Sequence, residues 1–161
     1  MDARGYNSLL NVTMYGFGAA LNNLVDLNMV RLVIRQFGDA LVDSEFGPKF
    51  LKGIGFEEPK GDDVPSLTKA YAEEMKKSGI TQVFDVVEAT DEKLVLDIGM
   101  CVFASATAAF RAEGIEIPPC PIVGIVLAGL NKRLKVNGKV ASAEYKSQAN
   151  TTLFTIDLYG R

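Results

Sequence analysis

The chain contains no histidine and no tryptophan. The first absence excludes several chemistries outright. A serine–histidine triad, a histidine-ligated zinc and a histidine-ligated haem each need an imidazole. Any general base must be a carboxylate, a lysine, a tyrosine or a cysteine thiolate. Cysteine is scarce as well, with only Cys101 and Cys120. They form no CxxC motif and cannot complete a four-sulfur metal site within one chain. Each lies in an apolar stretch, where a free cysteine behaves as a small hydrophobe. With so few cysteines and no secretory pattern in the opening MDARGYNSLL, the expected compartment is the reducing cytoplasm.

An excess of positive charge is also missing. Lys plus Arg number 17 against 20 acids, a formal net charge of −3. Nucleic acid and anionic membrane surfaces attract clustered positive charge, so neither is an expected partner. Long hydrophobic runs are absent too. The longest, from Pro119 to Leu130, falls short of the roughly 20 residues that a bilayer demands, so no membrane insertion is expected.

What is present is a chain of 161 residues, 48% apolar and 23% charged, the balance of one globular domain with a core. Residues 1–22 read as an N-terminal arm and 23–161 as the domain. LLNVTMYGFGAAL, from Leu9 to Leu21, is apolar and rich in small residues. Its GFGAA resembles the start of a dinucleotide fingerprint, but no strand-like segment precedes it and no third glycine follows. A helical arm whose small residues permit close backbone approach, packed against a second subunit, is the expectation.

From about Asn22 to Val42 apolar residues recur at helical spacing: Leu24, Leu27, Val30, Ile34, Phe37 and Leu41. Pro48, Gly53, Gly55 and Pro59 then punctuate an irregular stretch carrying Phe46, Phe50 and Phe56. Pro65 suits the first turn of a helix and Gly79 its end. The period next changes to two. TQVFDVVE and LVLDIGM, joined by a polar turn at Thr90–Lys93, read as an antiparallel hairpin with Leu94, Leu96, Ile98 and Met100 on one face. Cys101 to Ala112 is helix-compatible, and Ile115 to Pro121 is extended by its prolines. Pro121 opens a helix to about Leu134. Asn137-Gly138 marks a turn, and Lys139–Lys146 with Thr151–Tyr159 form a second hairpin. The resulting order is ααββααββ: an α+β fold with an antiparallel sheet of two hairpins covered by helices.

That order, with the segment CPIVGIVLAGLNKRL from Cys120 to Leu134, resembles the 4-vinyl reductase family of small-molecule and hydrocarbon-binding domains. The family is structurally akin to transport-particle subunits and haem nitric-oxide sensors. The resemblance covers roughly residues 25–160. Gly124 and Gly129 look like the glycines of the family's Cys-led helix, and Glu144 like its acidic strand position. Where many members carry further cysteines in the last hairpin, this chain has Ser147 and Thr152, so a family-type metal or thiol site is not implied.

The expected function is a non-catalytic sensor or carrier for a small hydrophobic ligand, held without metal or haem between sheet and helices. No cofactor is identified. Candidate ligand-facing residues are Phe37, Phe50, Phe84, Phe103, Cys101, Cys120 and Arg35. Arg31, Arg35 and Arg111 are the cations that could meet a carboxylate or phosphate. Two alternatives stand beside this reading. One is a small enzyme using Cys101 or Cys120 as nucleophile, and the other is a homodimeric scaffold built on the arm.

Overall fold

A computed structural model describes residues 11–20, 27–115 and 120–160, without the side chains of Leu27, Asn28, Val30, Arg31 and Ile34. The expectations for residues 1–10, for Leu24, for the Arg31 side chain and for the extended run at 116–119 lie outside the described residues. Residues 11–20 form helix α1. Then follow α2 (Leu27–Asp43), α3 (Gly47–Gly53), α4 (Val64–Lys77), β1 (Thr81–Ala89), β2 (Lys93–Cys101), α5 (Ala104–Ala112), α6 (Pro121–Leu134), β3 (Asn137–Lys146) and β4 (Thr151–Tyr159).

The four strands make one antiparallel sheet in the order β1-β2-β4-β3. Each hairpin pairs with itself, and β2 joins β4 at the centre, with Leu96 opposite Phe154 and Ile98 opposite Thr152. Strand alternation places Leu94, Leu96, Ile98, Phe154, Ile156 and Leu158 on the buried face. Asp157 and Tyr159 of β4 point the other way and are exposed. The α+β class and the two-hairpin sheet are therefore as the sequence pattern implies.

Helix α4 begins with a reciprocal cap. The Asp63 carboxylate accepts from the Ser66 amide at 2.7 Å, and the Ser66 hydroxyl accepts from the Asp63 amide at 3.3 Å. Pro65 occupies its first turn, and Gly79 leaves it at φ +73°. The apolar side of α4 (Leu67, Tyr71, Met75) is buried, and the helix packs on β1. Helix α6 touches β3, α4 and α2, and every residue from Pro121 to Leu130 is buried. It is the centre of the domain, which is why it carries no polar face until Asn131.

Four local expectations need correction. Cys101 does not open a helix. It ends β2, and α5 starts at Ala104. Met100 does not share the buried face of Leu94, Leu96 and Ile98. It turns out at φ 47° and is 43% exposed. Asn137-Gly138 is not a turn but the start of β3, because the reversal is already made by Lys135 at φ 59°. The punctuated stretch after α2 contains α3, a helix of two turns with Pro48 in its first turn.

Candidate functional site

Two hollows lie on either side of one piece of chain, the β2–α5 junction with the start of α6. The larger has a volume of about 350 Å³. Its walls come from α2 (Phe37, Leu41), α3 and the residues after it (Phe50, Leu51, Ile54), the end of α4 (Ser78, Gly79, Ile80), the junction (Val102, Phe103) and α6 (Pro121, Ile125). Among the described residues no charged side chain lines it, and its polar wall is confined to Ser78 and main chain. Phe50 and Ile54 at its rim are 71% and 57% exposed, an unusual state for large apolar groups clustered together.

The second hollow is much smaller, about 20 Å³. Cys101 and Cys120 both line it, with Thr107, Arg111, Asn150 and Thr152 as its other polar groups and Phe154 among its apolar ones. Burial pushes the Cys120 thiol up to about 12, and the nearby Cys101 adds to this. Burial also raises the Cys101 thiol, against an opposing pull from local backbone amides and Arg111. Both are free and both favour the neutral thiol, the opposite of what an activated nucleophile needs.

The sequence-expected residues therefore divide. Phe37, Phe50 and Phe103 come together around the larger hollow, and Cys101 and Cys120 around the smaller. Phe84 is 1% exposed, lines neither hollow and fills the core between sheet and helices. Arg35 is engaged elsewhere. Its Nε pairs with Asp39 Oδ2 at 3.3 Å, and its Nη2 donates to Asn137 Oδ1 at 2.7 Å. Leu41, Ile54, Val102 and Ile125 are lining residues that sequence reasoning missed. They are ordinary apolar residues on separate elements, and no local signal distinguishes them.

The packing of α1 bears on the expected arm. Asn11 donates from Nδ2 to the Val102 carbonyl at 2.8 Å and accepts the Ala106 amide at 3.0 Å. Tyr15 donates to Glu113 and its ring lies 5.7 Å from that of Phe110. One face of α1 is thus docked on α5 of its own chain, while Val12 and Phe17 remain 67% and 55% exposed.

Among the described residues no group of three or more acidic or cysteine side chains is placed to hold a metal ion, and no helix is long and apolar enough to cross a membrane. No family model matches the chain, and no curated protein matches it.

Proposed function

We propose that this protein binds a small, uncharged, apolar molecule in the larger hollow, as a non-catalytic carrier or sensor in the cytoplasm. The observation that carries the reading is the wall chemistry of that hollow. A volume of about 350 Å³ falls within the range of ligand sites, roughly 300–1,000 Å³. Aromatic rings from three separate elements meet there, and no charge among the described residues favours an ionised ligand. The element order and the buried Gly-containing α6 support kinship with the hydrocarbon-binding 4-vinyl reductase domains. The cysteine-enzyme alternative gains nothing from one half-buried and one buried thiol that both favour the neutral form.

Phe103→Trp tests this directly, because the chain has no other tryptophan to mask its emission. Titration with a neutral naphthylamine dye should shift that emission, and a long-chain alcohol should displace the dye more effectively than the matching fatty acid. An emission unmoved by dye, or equal competition by both, would refute the reading.

Homodimer formation is the second reading. Its support is the apolar surface of the N-terminal helices, where Val12 and Phe17 of α1 and Met29 and Leu32 of α2 are all at least 45% exposed. Sedimentation at micromolar concentration decides it, since a persistent monomer contradicts it.

A further inference from the structure

Arg111 is held in a way that its own fold does not use. Its guanidinium lies over the Tyr145 ring, with Cζ 3.6 Å from the ring centroid. Nε donates to the Thr107 carbonyl at 3.3 Å and Nη1 to Thr152 Oγ1 at 3.3 Å. A guanidinium has five N–H donors, so these two bonds leave three, including both on Nη2. Among the described residues no carboxylate lies within ion-pair distance of it. The arginine is half-buried, and it lines the smaller hollow.

Around Arg111 the other polar groups also offer donors, while Ile98, Met100, Ala104 and Phe154 supply apolar wall. Tyr145 donates its hydroxyl to Asn150 Oδ1 at 3.0 Å, which leaves the Asn150 amide N–H groups to donate. The Thr152 hydroxyl accepts from Arg111 and so keeps its own proton to give. Cys101 and Cys120 present neutral thiols, and among the described residues no acidic side chain lines the space. An arginine with three N–H groups unspent, beside neutral donors and with no carboxylate partner among the described residues, matches a flat group bearing two acceptor oxygens. About 20 Å³ admits the end of such a group and not a bulky anion.

We propose that Arg111, stacked on Tyr145, forms a subsite for the carboxylate of a small organic acid, with Thr152 and Asn150 as assisting donors and the Cys101 thiol at its edge. The site is separate from the apolar hollow and stands whether or not that hollow holds a ligand.

Cys101 supplies the test. Iodoacetate and iodoacetamide alkylate a thiol by the same displacement: the thiolate sulfur bonds to the methylene carbon, iodide leaves, and the thiol proton passes to solvent. Only iodoacetate carries a carboxylate. The ratio of the two rates at Cys101, read by peptide mass spectrometry, should be about five- to tenfold higher in the wild-type chain than in Arg111→Gln. Acetate should slow iodoacetate at the wild-type Cys101 while leaving iodoacetamide little changed, an arm that needs no variant. Acetate should also raise the melting temperature of the wild type relative to chloride at matched ionic strength. A ratio equal in the two proteins, acetate that acts no differently from chloride, or protection by phosphate and not by acetate would each overturn the proposal.

Discussion

Gly38 of α2 and Gly124 of α6 meet backbone to backbone. A Cβ at Gly38 would stand 2.0 Å from the Gly124 carbonyl oxygen and 2.3 Å from its carbon. The atoms in the way are main chain, so no side chain can swing aside to relieve the overlap. This crossing seats α2 over α6 and so places Phe37 and Leu41 at the larger hollow. Gly38→Ala should therefore destabilise the fold. Helix propensity favours alanine by about 1 kcal/mol, whereas overpacking costs about 1–3 kcal/mol and lies at the upper end against rigid backbone. The control is Gly53→Ala at the end of α3, where nothing lies within 4 Å. It should be neutral or gain up to about 1 kcal/mol. Urea midpoints of the two variants moving in the same direction would disprove the crossing.

Stability should fall in alkali through two buried groups. The Cys120 thiol rises from 9.0 to about 12 and the Tyr71 phenol from 10.0 to about 12, each chiefly by burial. Raised values mean that the fold favours the neutral forms. Their contribution is complete below the unfolded values and is lost as pH climbs from about 9 or 10 toward 12. Cys120→Ala and Tyr71→Phe should lower the neutral-pH baseline but flatten the alkaline decline of the urea midpoint. Profiles parallel to the wild type across that range would show that these groups do not set it.

Much of this fold was legible because its strongest signals are local. The hairpins announce themselves by alternation and by polar turns, and Pro121 with Lys132 and Arg133 brackets α6 at its two ends. Helix α3 was not legible, because glycine stands at both ends and Pro48 between them resembles loop punctuation. The site was only half legible. Phe37, Phe50, Phe84 and Phe103 look alike as aromatics in apolar surroundings, and nothing local says that three converge while Phe84 faces the core. The stacking of Arg111 on Tyr145 joins α5 to β3, a meeting that only the tertiary path of the chain creates.

Lys135 closes α6 in the left-handed region at φ 59°, and it is exposed. A side chain there carries a steric penalty that glycine avoids. Lys135→Gly should stabilise the protein by about 0.5–1 kcal/mol, less than the full penalty because glycine also loosens the unfolded chain. A lower melting temperature would mean that the weak Lys135 Nζ bond to the Lys132 carbonyl, 3.4 Å, matters more than the backbone strain.

Phe50 and Phe84 offer the sharpest separation of site from scaffold. Phe50 is 71% exposed at the rim of the larger hollow, and Phe84 is 1% exposed beneath the sheet. Phe84→Ala empties a packed position and should cost about 3–5 kcal/mol. Phe50→Asp removes a ring that water already reaches, so its effect on stability should stay within about 0.5 kcal/mol. The same change places a carboxylate beside a wall whose described residues carry no charge, where an apolar ligand would have to desolvate it. Dye affinity should therefore drop at least about tenfold in Phe50→Asp, equivalent to about 1.4 kcal/mol, while its urea midpoint stays near that of the wild type. Undiminished dye binding by a well-folded Phe50→Asp would remove Phe50 from the site. A comparable loss of stability in both variants would place Phe50 in the scaffold with Phe84.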